Sequence, residues 1–215
     1  MNIISYAVDI IPQFLYGIIS TAYFSIFSLI IGMFISLNMC FFQNHIRPIL
    51  RVYVSFFKGV PILLILLIFF YVPSYYNINI DQNIVGLLVL SFNSSVFQYE
   101  FYNASLQNIP SGQILAARAL GMNETDIFKS ILVPQILRKS SPQIFNEFSI
   151  ILKNTSLLSV IFVSDLSKVG QQISSSTYKY LETYIIILFI YYALSKIAFY
   201  TEKILNRRLL CHELY

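Results

Sequence analysis

The sequence predicts an all-α membrane protein of five transmembrane helices in one domain, residues 1–215. Three observations carry this. Hydrophobic residues make up 57% of the chain and charged residues 11%, against about 25% charged in a soluble domain. Five apolar stretches are long enough to cross a hydrocarbon layer of roughly 30 Å. Finally, Lys and Arg gather in alternate loops, as the positive-inside rule requires.

Met1 to Gln13 is short and bears only Asp9 as a charge. No basic run precedes the first apolar segment and no small-residue cleavage pattern follows it, so a retained span is expected there. That span covers about residues 14–42. Gly17, Thr21, Ser25, Ser28, Gly32 and Ser36 recur at steps of four or three, a stripe that lets helix backbones pack closely in lipid. The following loop carries His45, Arg47, Arg51 and Lys58, and Pro48 is expected to interrupt any regular helix.

The second span is expected at about 56–73, ending at Pro73. A polar turn with Asp81 and no Lys or Arg leads to the third, about 84–102, which turns polar at Asn93, Ser94, Ser95, Gln98 and Glu100. A polar loop at about 111–130 patterns as two short helices around Gly121, with Asn123 as N-cap of the second and Asp126 three positions on. The fourth and fifth spans fall at about 142–163 and 183–203, separated by a loop through Asp165, Lys168 and Lys179. The charge pattern puts the N-terminus outside, and the 111–130 loop and the C-terminus in the cytoplasm.

Inside the fourth span, Asn146, Glu147, Lys153 and Asn154 interrupt an apolar helix. A charge at the bilayer centre costs about 2.5–3.5 kcal/mol. Glu147 and Asn154, seven apart, share one face, and Asn146 and Lys153 share the next. Two readings stand. These groups line a water-filled path with Asn93 and Ser94, or Glu147 and Lys153 snorkel or pair structurally while Ser and Asn bind helices together. Thr155-Ser156 has the chemistry to loosen the helix locally and expose carbonyls, with Ser156 then on the path.

Other chemistry is not indicated. The sequence lacks a G-x-x-x-x-G-K-[ST] loop, zinc-spaced ligands and a Ser–His or Cys–His arrangement. Cys40 and Cys211 are expected to be free thiols. The chain is therefore not expected to be an enzyme or to hold a cofactor of its own.

The wording of the 111–130 region adds a resemblance. AARALGM, then ILVPQILR, then NEFSIILKNTSLLSVI, in this order and spacing, resemble the signature loop of ABC importer membrane subunits, most of all the polar amino-acid (histidine/glutamine-like) permeases. Lys58-Gly59-Val60-Pro61 stands where such proteins have arginine-glycine-threonine-proline, and Ser91-Phe92-Asn93-Ser94 resembles their serine-leucine-asparagine-serine. Leu115 replaces an acidic residue, Asn154 an aspartate, and Tyr102 a common arginine.

The resemblance implies a multi-pass permease subunit of a bacterial inner membrane, importing a polar amino acid by alternating access. It implies a second permease subunit, identical or not, ATPase subunits that use ATP and Mg²⁺, an extracytoplasmic solute-binding protein, surrounding lipid, and no nucleic acid. The loop would be a coupling helix touching the ATPase through Ala116, Ala117, Arg118, Gly121, Met122 and Asn123. An ATP-independent channel or secondary transporter, or a membrane scaffold, remains the rival reading of the residues themselves.

Overall fold

A computed structural model describes the backbone of residues 3–210 and the side chains of residues 12–204. Cys211 and His212, and the side chains of Asp9, Arg207 and Arg208, lie outside it. Every element within that range is helical.

Helix α1 (Ile3–Gly59) runs far past the expected first span. It bends at Ile46 (φ −117°, ψ 20°), two residues before Pro48. A proline inside a helix loses one hydrogen bond and crowds the carbonyl four residues back, which kinks the helix. The interruption expected at Pro48 is thus a bend, with helix on both sides of it from His45 to Lys58.

The helix breaks at Val60-Pro61, where Pro61 is extended (φ −56°, ψ 129°). Helix α2 (Ile62–Tyr75) follows, with Pro73 inside it rather than at its end. Its 14 residues span only about 21 Å at 1.5 Å per residue. The continuous second span expected at 56–73 is therefore split, because Pro61 has no N–H to carry the helix through. Among the described residues four helical stretches are long and apolar enough to cross a membrane: Pro12–Gly59, Gln82–Gln107, Ser141–Ile161 and Tyr180–Ile204.

Asn77 closes α2 in the left-handed region (φ 58°). The Ile78 N–H bonds Pro73 O at 2.9 Å and the Asn77 N–H bonds Ser74 O at 3.0 Å, a Schellman closure. Asp81 then caps α3 (Gln82–Gln107) by accepting from the Asn83 N–H at 2.8 Å.

Helix α3 is central and packs mainly on α1, and the small-residue stripe of α1 makes this fit. Thr21, Ser25, Ser28 and Ser36 are fully buried. A Cβ on Gly32 would stand 2.8 Å from Gln98 Nε2 and 3.2 Å from Ser91 O, and one on Gly17 would stand 2.8 Å from Leu166 Cα. Val85, Val89 and Val96 of α3 join Ile65 and Leu66 of α2 and Leu158 further on in one apolar core.

After α3 come α4 (Ser111–Ala119) and α5 (Glu124–Asp126). The chain continues through a wide π turn (Ile127–Leu132) into α6 (Val133–Lys139). Pro134 cannot donate to the Ser130 carbonyl and its ring crowds it, a reason for the wider turn. Helix α7 (Ser141–Asn154) tightens at Thr155 into a 3₁₀ segment, Thr155–Ile161. Helices α8 (Leu166–Thr177) and α9 (Tyr180–Leu210) complete the chain. Large apolar side chains such as Leu188 and Phe189 stand exposed on α9, a surface suited to lipid.

Candidate functional site: a buried polar layer and an external loop

Two regions draw the sequence-flagged residues. The first is a polar layer where α1, α3 and α7 meet. On α3, Asn93, Ser94, Ser95 and Gln98 are all buried. Gln98 Nε2 donates to Leu29 O of α1 at 3.1 Å and to Ser94 Oγ at 2.9 Å, and the Tyr102 hydroxyl donates to Gln98 Oε1 at 2.9 Å. Ser95 instead shares a 2.8 Å hydrogen bond with the Tyr53 hydroxyl and so binds α3 to α1.

Glu147 enters this layer from α7 and is only 1% exposed. Its carboxyl lies within hydrogen-bonding reach of Ser94, but Oε1 has no protein partner. Ser28 Oγ, one turn from Gly32 on α1, also lacks one. An unsatisfied buried polar group costs about 1–3 kcal/mol, more when charged. A water, a proton or a ligand's N–H group relieves that cost.

The remaining α7 groups separate from Glu147. Gln143, Asn146 and Lys153 are exposed, whereas Asn154 and Ser156 are half-buried. Thr155 Oγ1 donates to Leu152 O at 2.8 Å and Ser156 Oγ to Lys153 O at 2.7 Å. These back-bonds accompany the change to 3₁₀ geometry at Thr155. The helix tightens there; it does not unwind. Of the six residues flagged for a path, the structure brings Ser94 and Glu147 together and buries Asn93 beside Ser94 in sequence. Lys153 lies on a separate, outward face.

The second region is the α4–α5 loop. Gly121 takes φ +80°. The Met122 N–H bonds Ala117 O at 3.1 Å and the Gly121 N–H bonds Arg118 O at 2.9 Å, a second Schellman closure with glycine at the left-handed position. Asn123 caps α5, its Oδ1 accepting from the Asp126 N–H at 2.8 Å while its amide N–H donates to Asp126 Oδ2 at 2.6 Å. Across the turn the Arg118 guanidinium grips Glu124 with bonds of 2.7 and 3.2 Å. The hydrogen bond from Arg118 holds the Glu124 carboxyl below its ordinary range.

The six residues flagged in this loop divide. Ala116, Arg118, Gly121 and Asn123 are exposed, and Met122 is half-buried. Ala117 is buried in the apolar cluster that also holds Tyr102, Ile109 and Ile127, so its methyl seats the loop on this chain. Leu115, Ala116, Ala119 and Leu120 form the outward apolar face, with Leu120 83% exposed.

Sequence reasoning missed three features. The Arg118–Glu124 pair had no signal beyond six-residue spacing across a glycine. The Gln98–Tyr102 bond was legible as an (i, i+4) polar pair. Asp165 was read only as a loop charge. It caps α8 through the Ser167 and Lys168 N–H groups at 3.0 Å each and accepts from the Tyr191 hydroxyl at 3.2 Å. The Asp-Leu-Ser-Lys wording was the available clue. Burial pushes the Asp165 carboxyl up to about 6.

Among the described residues the chain is all-helical with several membrane-length apolar helices, which defines a helical membrane protein. Residues 28–210 match the family described as binding-protein-dependent transport system inner membrane component. The chain belongs to that family. It is 33% identical over 205 residues to the arginine transport system permease protein ArtQ of Bacillus subtilis (strain 168), covering 93% of each chain. It is 31% identical over 198 residues to the L-cystine transport system permease protein TcyB of the same organism, covering 90% of this chain and 85% of that one. The putative glutamine transport system permease protein GlnP of Rickettsia typhi (strain ATCC VR-144 / Wilmington) is 27% identical over 215 residues, covering 96% and 99%. Among solved structures, an amino acid ABC transporter crystallised with histidines superposes with a TM-score of 0.84 at 31% identity, covering 97% of this chain and 99% of that one. The chain is therefore a multi-pass inner-membrane permease subunit of the amino-acid ABC importer family, whose permeases are not themselves enzymes.

Proposed function

We propose that this chain forms half of the translocation path of an ATP-driven, binding-protein-dependent importer of polar amino acids. The observation that carries this reading is the polar face of α7. Gln143, Asn146 and Lys153 are exposed on a stretch, Ser141–Ile161, apolar enough to cross the membrane. Facing lipid, that charge and those amides would be costly. A second permease subunit across an aqueous path would hydrate and cover them. The arginine, cystine and glutamine named for the relatives support a polar amino acid as substrate.

In this reading the chain crosses the membrane five times, α2 completing the second crossing, with the N-terminus outside and the C-terminus in the cytoplasm. The α4–α5 loop is the coupling helix and presents Leu115, Ala116, Arg118, Leu120, Gly121 and Asn123 to an ATPase subunit, which uses ATP and Mg²⁺. This chain holds no cofactor. Closure of the ATPase pair moves the loops together and exchanges inward for outward opening. Glu147, beside Ser94, is the anionic group nearest the path. Lys153, Asn154 and Ser156 line the path beside Gln143 and Asn146, with Asn93, Ser94 and Glu147 in the buried polar layer behind that face. The amide at Asn154 offers hydrogen bonds without charge, which favours neutral or acidic side chains over strictly cationic ones.

Reconstitution with its ATPase and binding protein in liposomes, followed by uptake of radiolabelled amino acids, tests this. Uptake is expected only with ATP, Mg²⁺ and the binding protein. Equal uptake without ATP would establish the channel or secondary-transporter reading instead.

A further inference from the structure

Helix α4 carries a single charge, Arg118 in its last turn, and no acid of its own. The outward apolar face of the helix lies beside that charge. At 100° per residue Leu115, Ala119 and Ala116 fall within about 100° of arc, and Arg118 stands about 60° to one side of Leu115. Leu115 is 61% exposed. A guanidinium left free there would be a mobile cation at the edge of the face.

The structure holds that guanidinium on Glu124. Arg118 Nε donates to Glu124 Oε1 at 2.7 Å, and Nη2 to Oε2 at 3.2 Å. Two bonds from one guanidinium fix direction as well as distance. Glu124 stands beyond the turn, at the start of α5, so the pair spans Gly121, where the backbone has most freedom. Since α4 has no other charge, no second ion pair can join it to α5. At the opposite end of α4, Gln135 Nε2 donates to Gln113 Oε1 at 2.9 Å and ties the helix to α6. Ala117 is seated between these two contacts. Side chains therefore hold α4 at both ends, and Glu124 holds the end nearest the tip. Arg118 and Glu124 are 53% and 65% exposed, so the pair adds little to the stability of the fold. What it sets is the direction of α4.

We propose that Glu124 is a positioning residue for the coupling of this subunit to its ATPase. By gripping Arg118 it fixes α4 against α5, and the loop meets its partner as an apolar face with its cation already neutralised. The proposal rests on the reading of this loop as the coupling helix.

The full chain, reconstituted in liposomes with its ATPase subunit and binding protein, gives uptake per ATP hydrolysed. Amide exchange of the same variants gives closure of the turn without any need for transport. Arg118→Gln and Glu124→Gln should each lower uptake per ATP roughly two- to fivefold and speed exchange at Gly121 and Met122 by a similar factor. Thermal melts should not move, which separates positioning from loss of fold. The double Gln variant should be no worse than either single, and the swapped Arg118→Glu/Glu124→Arg should recover most of the loss. Lys129→Gln, which removes an exposed cation from the same loop, should change neither measurement. A loss in Arg118→Gln with wild-type behaviour in Glu124→Gln would overturn the proposal, because Arg118 would then serve the partner directly. So would unchanged exchange in both singles, additive losses in the double variant, a swap no better than the singles, or an equal loss in Lys129→Gln. Absence of ATP-dependent uptake in the unsubstituted protein would refute the transport reading and the coupling role with it, while faster exchange in the variants would still place the pair across the turn.

Discussion

Gly121 is the position where one atom should change the behaviour of the external loop. Its φ of +80° closes α4, and an added Cβ meets nothing within 4 Å. Gly121→Ala therefore isolates the backbone cost of the left-handed conformation, with no packing contribution of either sign. That cost is about 1–2 kcal/mol for an L-residue, or roughly a 5- to 30-fold fall in the closed population. Amide exchange reads it directly. The Gly121 and Met122 N–H groups bond Arg118 O and Ala117 O only when the turn is closed. Both amides should exchange about 5- to 30-fold faster in the Ala variant. Gly121→Asn should fall between, because asparagine tolerates this region. Gly121→Val, β-branched, should be worse than Ala and should uncouple uptake from ATP hydrolysis in liposomes without preventing membrane insertion. Wild-type exchange rates in both the Ala and Val variants would refute the assignment of the turn to backbone geometry.

Four further outcomes follow from named groups. Asn154→Asp should raise uptake of lysine or arginine relative to neutral competitors, and an unchanged profile would leave position 154 a structural residue. Glu147→Gln should keep the fold within about 1 kcal/mol, since the change removes a buried charge with one unpaired oxygen; radiolabelled uptake should fall severalfold, and undiminished uptake would remove Glu147 from the path. The Asp165 carboxyl, in the segment between the last two crossings, is raised by burial from 3.8 to about 6. Its stabilising contribution is thus complete below pH about 4 and is lost as pH rises through about 6, on the order of 2–3 kcal/mol. Asp165→Asn keeps a capping oxygen, so thermal melts in detergent from pH 4.5 to 8 should show a flatter profile than wild type. A reporter fused after Asn79 should appear outside the cytoplasm and one at the C-terminus inside; finding both on one side would exclude five crossings.

Some of this protein was settled by local chemistry and was legible in the sequence. The stripe from Gly17 to Ser36 named the packing face of α1, because only small groups let two backbones approach in lipid. Gly121 and Asn123 marked a turn and a cap, which depend on residues a few positions apart. The family wording of AARALGM and NEFSIILKNTSLL pointed to an importer permease. Pro48 interrupts α1 as expected, with a bend, but the other prolines misled: Pro73 sits within α2, whereas Pro61 breaks the helix. A proline removes one hydrogen bond wherever it falls, and the packing around it decides whether the helix survives.

The division of polar groups on α7 was a tertiary matter as well. Spacing placed Glu147 with Asn154 and Asn146 with Lys153. It could not say that Ser94 of α3 would meet Glu147 and leave Asn146 and Lys153 uncovered. The same holds for Ala117, whose methyl reads as surface from its Ala-rich neighbours yet is buried in the cluster of Tyr102 and Ile127. The sequence by itself determined membrane residence, the helical elements and the family, because these follow from composition, short-range periodicity and local wording. Only the tertiary structure decided which polar atoms are buried, paired or left exposed, because that depends on residues far apart in the chain arriving at one place.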